Sequence, residues 1–194
     1  MQTKTTGLLR PALTLFLALS LTTGLLYPFA ATGLARVFFP EQAAGSLIER
    51  DGQVVGSRLI GQYFSEPRYF WGRPSATAPM AYNGASSGGS NLGPTNPALA
   101  EAARARADAL RQADPGNLAP IPLDLLTASG SGLDPHISPD AARYQAARVA
   151  RERGLPLARV QALIDRHIER PWPAVLGQPV VNVLALNLAL DAGV

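Results

Sequence analysis

The segment from Pro11 to Ala35 constrains this chain most, because it contains no charged residue over 25 consecutive positions. A helix of that length, at about 1.5 Å per residue, would extend about 37 Å and cross a hydrocarbon core of about 30 Å. Cleaved secretory signals have a shorter apolar region of about 7 to 15 residues. Gly33-Leu34-Ala35 resembles a weak cleavage site, but the length favours a retained transmembrane helix over residues 11–35.

The charges that flank this segment predict its orientation. Lys4 and Arg10 precede it without an acidic residue, whereas the basic residues that follow are accompanied by Glu41, Glu49 and Asp51. Lys and Arg are enriched in cytoplasmic flanks of membrane spans. We therefore expect residues 1–10 in the cytoplasm and residues 36–194 as a soluble extracytoplasmic (periplasmic) domain, tethered to the cell (inner) membrane by a single pass.

The composition argues against a nucleic-acid-binding protein. The formal net charge is only +3, and Lys4 is the sole lysine of the chain. The arginines are scattered among acidic residues and do not form a basic block. The chain also has no cysteine, which is compatible with an exported domain that needs no disulfide.

Local signals after the span predict an α+β domain. Asp51-Gly52 between two short apolar runs is typical of a β-hairpin. Asn96-Pro97 and Ser138-Pro139 each combine an N-cap residue with proline at the first helical position. These helices should end near Ala113 and Gly154, and a third should follow Pro156. The last segment should open as a buried strand and become helical at Asn182. Strands at both ends and helices between them give one mixed α/β domain.

Side-chain periodicity assigns faces to the second of these helices, over residues 139–153. Ala142, Ala146, Val149 and Ala150 should share its apolar face. Arg148 and Arg151 should lie on the opposite, solvated face.

Two further segments are candidates for binding. Five aromatic residues lie between Tyr63 and Trp71, a density that usually reflects core packing but is also found at partner interfaces. The following segment, residues 81–96, is rich in Gly, Ser and Asn and should form a long loop.

The segment TASGSGLDPHISP, residues 127–139, carries the residue types of a serine hydrolase. Ser129 or Ser131 could act as nucleophile with Asp134 and His136. The residues lie in one short stretch, however, and the GxSxG pattern is absent. We expect a shaped loop whose glycines adopt positive φ and whose Ser138 caps the next helix.

Phosphate and metal chemistry receive little support from the same loops. A P-loop requires a lysine, and neither glycine-rich loop contains one. Two histidines without cysteine do not predict a transition-metal site. A membrane-anchored hydrolase using Ser131 and His136, or a nucleotide-binding module using the glycine-rich loops, remain the alternatives to a protein that binds other proteins.

Several runs of residues occur in the order and spacing of one known family. They are residues 56–57 (GS), 59–62 (LIGQ), 69–75 (YFWGRPS), 89–97 (GSNLGPTNP), 127–135 (TASGSGLDP), 182–184 (NVL) and 186–187 (LN). Together with the N-terminal span, the chain resembles the C subunit of the Kdp-type bacterial potassium-transporting ATPase over nearly its whole length.

The resemblance implies a non-catalytic accessory subunit of an ATP-driven potassium import pump. The expected partners are a potassium-conducting A subunit, a P-type ATPase B subunit and a small F peptide. The subunit would assemble or stabilise the complex, and has been proposed as a chaperone that raises the pump's affinity for ATP. No bound cofactor is assigned to this chain, and ATP would act through the complex.

The aromatic segment and the two glycine-rich loops supply the candidate partner contacts. Fold maintenance is the competing explanation for each of them. The candidates are Tyr69, Phe70, Trp71, Arg73, Ser90, Asn91, Asn96, Ser129, Ser131 and Asp134.

Overall fold

The computed structural model describes residues 6–193 and divides the chain into two compact units, of which the first ends at Leu47 and the second begins at Ile48. The first unit is almost entirely helical. Helix α1 (Thr6–Leu21) continues through a π-helical turn (Thr22–Leu26) into α2 (Tyr27–Phe38), and a short α3 (Pro40–Ala43) follows.

The continuous helix Gly7–Phe38 is long and apolar enough to cross a membrane, with a mean hydropathy of 1.6 over its best window and no buried residue in that window. The predicted helix over residues 11–35 is therefore confirmed as a helix of spanning length. It extends beyond both predicted ends because helical hydrogen bonding continues past the flanking Arg10 and Arg36.

The π-helical turn lies where proline interrupts the helical hydrogen bonds. Pro28 has no N–H to donate, and the N–H of Tyr27 reaches back to the carbonyl of Thr22. The hydroxyls of Thr22 and Thr23 donate to the carbonyls of Ala18 and Leu19, each at 2.8 Å. Such side-chain bonds help satisfy backbone groups around a helix irregularity inside a bilayer.

A hairpin of β1 (Leu47–Arg50) and β2 (Gln53–Ser57) follows the helical segment. Asp51 and Gly52 both have positive φ, 53° and 76°, as the predicted two-residue turn requires. A second sheet has the order β3-β5-β4, with β3 (His136–Ile137) and β4 (Ile168–Glu169) both antiparallel to the central β5 (Val180–Asn182).

The described part of the second unit also contains the α-helices α4 (Pro97–Ala113), α5 (Pro139–Arg153), α6 (Leu157–Arg166) and α7 (Val183–Asp191). The predicted caps Asn96 and Ser138 are confirmed, since each accepts a hydrogen bond from a first-turn N–H, and Asn182 caps α7 in the same way. The structure thus confirms a mixed helix-and-sheet fold. Most side chains of its core come from the sheet and from α5, α6 and α7, including Ile137, Val149, Ile164, Val181 and Leu186.

A long coil connects the two halves of this unit. No helix or strand lies between Ser57 and Pro97 in the described part of the chain. Phe70, in the middle of the coil, is completely buried. Its N–H donates to Oδ1 of Asn187 at 2.9 Å, and its carbonyl accepts from Nδ2 of the same side chain at 3.0 Å. Gln145 holds the backbone of Trp71 in the same two-bond manner, at 2.8 and 3.1 Å.

The prediction that Arg148 lies on a solvated face is wrong. The side chain is 1% exposed, because the coil covers that side of α5. Its guanidinium donates to the carbonyls of Pro67 and Tyr69 and to Oε1 of Gln145, and its Cζ lies 4.5 Å from the centre of the Trp71 ring. Burial lowers the pKa of Arg148 to about 10.

Candidate functional site

The two glycine-rich loops lie against each other. The N–H of Gly88 donates to the carbonyl of Ser131 at 2.8 Å, and the hydroxyl of Ser87 donates to the same carbonyl at 3.0 Å. Gly132 has a φ of +68°, and a Cβ there would lie 2.6 Å from the carbonyl oxygen of Gly88. The glycines therefore permit a backbone-to-backbone approach between segments distant in sequence.

Ser75 and Tyr82 fix the aromatic segment beside these loops. The hydroxyl of Ser75 donates to the carbonyl of Gly132 at 2.7 Å and accepts from the N–H of Tyr82 at 2.9 Å. The phenol of Tyr82 donates to the carbonyl of Arg73 at 2.6 Å. Burial, reinforced by the Asp134 carboxylate, raises the pKa of Tyr82 to about 12, so this phenol remains a donor at neutral pH.

Arg73, Asp134 and His136 form a polar cluster next to this network. Nη1 of Arg73 lies 3.0 Å from Oδ2 of Asp134, and Nδ1 of His136 lies 3.4 Å from Oδ1. Burial alone would raise the pKa of the Asp134 carboxyl, but hydrogen bonds from His136 and Arg73 outweigh it and hold the pKa below its usual value. Asp134 is therefore an anion that orients its two neighbours.

This cluster does not assemble a serine triad. Ser129 is buried, with 3% exposure, and the hydroxyl of Ser131 accepts from the N–H of Leu133 at 3.1 Å within its own turn. Within residues 6–193, no hydrogen bond joins either serine to His136. A triad requires the histidine to stand between nucleophile and carboxylate.

Two concave regions flank Arg73. The first is a cleft of about 420 Å³ whose walls are mainly apolar, with Phe64, Trp71, Leu110 and Leu125 among them. The second is an open hollow of about 710 Å³ that contains the Asp134 cluster together with Asp124 and Asp140. No group of three or more His, Cys, Asp or Glu in the searched residues is arranged to hold a metal ion.

The predicted contact residues divide by exposure. Phe70 and Ser129 are buried: Phe70 is a core residue and the Ser129 N–H donates to the Pro74 carbonyl. Trp71, Arg73 and Asp134 are half-buried and line the concave regions. The remaining candidates lie outside the core, half-buried in the case of Tyr69 and exposed for Ser90, Asn91, Asn96 and Ser131.

Sequence reasoning missed two features of the surface. Arg106 on α4 lines the first cleft beside Arg73, and only the tertiary fold brings these residues together. Trp172 is 91% exposed in the loop between β4 and β5, near Val175 and Leu176 at 87% and 73%. The apolar residues clustered in residues 171–177 (PWPAVLG) were the sequence signal that could have indicated this exposed loop.

One exposed helix that is long and apolar enough to cross a membrane, followed by a mixed helix-and-sheet domain with concave surfaces, is typical of single-pass membrane proteins. Comparisons with known proteins then identify the family. The family model described as "K+-transporting ATPase, c chain" (KdpC) matches residues 9–192. The chain belongs to the KdpC family.

Similar proteins cover almost the entire chain. A "Potassium-transporting ATPase KdpC subunit" of Polaromonas naphthalenivorans is 65% identical over 96% of this chain and 95% of its own length. Proteins with the same description from Variovorax paradoxus and Herminiimonas arsenicoxydans are 64% and 58% identical, over 96% and 94% of this chain and 96% of each relative. The family resemblance inferred from the motifs is confirmed.

Proposed function

We propose that this chain is a non-catalytic accessory subunit of the Kdp potassium pump, anchored by its N-terminal helix and acting through its soluble domain. The observation that carries the proposal is the helix Gly7–Phe38, which exposes apolar side chains along its whole length. Exposed apolar surface on that scale is stable in lipid or against other membrane helices. The near-complete match to potassium-transporting ATPase subunits supports the same assignment.

The proposed orientation has residues 1–10 in the cytoplasm and the domain from residue 36 outside. The support is the bias of basic residues toward the N-terminal flank. A protease added to intact cells, or to spheroplasts where an outer membrane is present, should then remove a C-terminal tag. Protection of the tag until the inner membrane is permeabilised would reverse the orientation.

The proposed partners are the potassium-conducting A subunit, the P-type ATPase B subunit and the small F peptide. The half-buried and exposed candidates, from Tyr69, Trp71, Arg73 and Asp134 to Ser90, Asn91, Asn96 and Ser131, supply the contact surface. Backbone bonds between the glycine-rich loops hold that surface in place. A rigid surface loses little conformational entropy on docking.

Any effect of the subunit on ATP affinity then acts across the membrane. ATP is cytoplasmic, and a domain outside the membrane influences its binding only through conformational coupling between subunits. Adding the purified full-length chain to the remaining subunits should lower the ATP concentration required for half-maximal activity, while the chain alone binds no ATP. Saturable ATP binding to the isolated full-length chain would contradict this mechanism.

The assembly role is tested by purifying the pump through a tagged partner subunit from cells with and without this chain. We expect loss of stable assembly and of potassium-stimulated ATP hydrolysis when the chain is absent, and recovery when it is supplied from a plasmid. Unchanged assembly and hydrolysis would reject the accessory role.

A further inference from the structure

The cleft beside Arg73 is preformed, and its lining combines apolar side chains with basic ones. Its apolar wall consists of the Phe64 and Trp71 rings together with Leu110 and Leu125. Two arginines, Arg73 and Arg106, also line it, and none of the lining residues is an aspartate or glutamate. A volume of about 420 Å³ lies within the range of about 300–1,000 Å³ that is usual for binding clefts.

The two arginines differ in how their charge is balanced. Arg73 is paired with Asp134, which lies outside the cleft lining. Arg106 donates through Nη1 to the carbonyl of Leu126 at 2.6 Å, and no carboxylate of the described chain forms an ion pair with it. Its partial burial lowers the pKa of the guanidinium, which is the direction expected for a cation removed from water without a counter-charge.

We infer that this cleft receives a segment of a partner subunit in which a large apolar side chain stands next to a carboxylate, with the carboxylate bound to Arg106. This inference rests on the proposed function, because it names the surface through which the accessory subunit docks. The apolar walls suit the large apolar side chain, and the unpaired guanidinium of Arg106 suits the carboxylate. A guanidinium has five donors in a planar fork, and one bond to Leu126 leaves donors for a carboxylate.

Arginine and tryptophan at a concave surface also fit the composition of interaction hot spots, which are enriched in both. Two contacts hold the Trp71 ring in place. The guanidinium of Arg148 lies over the ring, and the indole Nε1 of Trp71 donates to the carbonyl of Glu66 at 3.0 Å. The aromatic wall is therefore already in position before a partner arrives, and binding does not have to order it.

Arg106→Gln tests the charge. The full-length chain is titrated against the purified complex of the other subunits, and its apparent Kd is compared with that of Arg104→Gln, an exposed arginine on the same helix that does not line the cleft. We expect Arg106→Gln to raise Kd about tenfold to a hundredfold, as loss of a charge-assisted hydrogen bond does. Arg104→Gln should stay within about threefold of wild type.

Ala109→Phe tests the volume without removing any interaction. Ala109 is exposed on α4 and lines the cleft, so a phenyl ring there fills the cleft while the core stays intact. We expect a loss of affinity similar to that of Arg106→Gln, with thermal unfolding close to wild type. If both variants are folded and bind normally, the inference is wrong.

Photo-crosslinking identifies the occupant. Tyr63, 74% exposed at the cleft wall, is replaced by p-benzoylphenylalanine in the assembled pump, and crosslinked peptides are identified by mass spectrometry. A partner peptide with Asp or Glu beside a large apolar residue supports the inference. Crosslinks only to lipid, to a second copy of this chain, or to a peptide without a carboxylate overturn it.

The docking inference and the accessory role fail separately. If deleting the whole chain disrupts the pump while the cleft variants assemble normally, the accessory role stands and this docking surface is wrong. If deletion itself leaves the pump unchanged, the accessory role fails first.

Discussion

The helix Gly7–Phe38 and the coil between Ser57 and Pro97 satisfy their backbone polar groups in opposite ways. In the helix the hydrogen bonds are local. Even at the π-helical turn near Pro28, the threonine hydroxyls donate to carbonyls four residues earlier in the same helix. In the coil, the backbone of Phe70 and Trp71 is bonded by side chains of α5 and α7, more than 70 residues away in sequence. The helix therefore satisfies its own backbone groups, whereas the backbone groups of the coil depend on side chains from the rest of the domain.

The difference explains why polar residues occupy the middle of the domain. Gln145, Arg148 and Asn187 are each 1% exposed, and all three bond to the backbone of the coil. A buried backbone group without a partner destabilises by about 1–3 kcal/mol. These three side chains form the hydrogen bonds to the coil backbone that a neighbouring strand would form in a sheet.

The largest expected effect is the loss of Arg148. Arg148→Ala removes the donors for the Pro67 and Tyr69 carbonyls and leaves a cavity under the Trp71 ring, so we expect the free energy of unfolding to fall by about 3–5 kcal/mol. Urea unfolding of the detergent-solubilised chain measures it. Arg143→Ala on the same helix is the control: Arg143 is half-exposed and forms surface ion pairs, so it should lose less than about 1 kcal/mol. Equal losses would mean that the coil does not depend on α5.

Gly132→Ala tests the contact between the glycine-rich loops. The Cβ would lie 2.5 Å from Cγ2 of Thr77 at a φ of +68°, and we expect destabilisation of about 2–4 kcal/mol. Gly130→Ala should change stability by less than about 0.5 kcal/mol, because nothing lies within 4 Å of its Cβ position and its φ is outside the left-handed region. Comparable thermal shifts for both variants would contradict this packing.

Tyr82 makes the stability of the coil depend on pH. Because the folded-state pKa is raised to about 12 from 10.0, its contribution to stability is complete below pH 10 and is lost as the pH rises toward 12. Between pH 8 and pH 11 the wild type should lose about 1–2 kcal/mol more than Tyr82→Phe. Urea unfolding of both proteins at the two pH values measures the difference, and parallel pH profiles would rule it out.

The smallest effect on the domain is expected from Pro28→Ala. Alanine restores an N–H two residues after the π-helical turn, so backbone amides of residues 22–28 should exchange more slowly with solvent in a membrane. The free energy of urea unfolding of the domain should not change, because the affected hydrogen bonds lie within the helix. A shift of more than about 0.5 kcal/mol would mean that the helix contributes to the stability of the domain.

Elements specified by neighbouring residues were predictable. The hairpin at Asp51-Gly52, the caps at Asn96 and Ser138, and the switch from strand to helix at Asn182 all follow from local conformational preferences, and the structure has each of them. The spanning helix belongs to the same group, because its signal is the absence of charge.

Features that depend on the coil were not predictable in the same way. Helical periodicity predicts a solvated Arg148, because it describes one element and carries no information about what covers that element. Phe70 and Ser129 were candidate contacts but are buried, and Arg106 approaches the aromatic segment only in the folded domain. A single sequence contains no local pattern for such encounters between distant segments.

The chain has two tryptophans, and their surroundings make the protein its own optical sensor. Trp71 is half-buried beneath a guanidinium, whereas Trp172 stands 91% exposed on the loop between β4 and β5. Their fluorescence should differ in wavelength and in sensitivity to a water-soluble quencher. Replacing either tryptophan with phenylalanine leaves the fluorescence of the other, so events at the cleft and at the loop between β4 and β5 can be followed separately without attaching a dye.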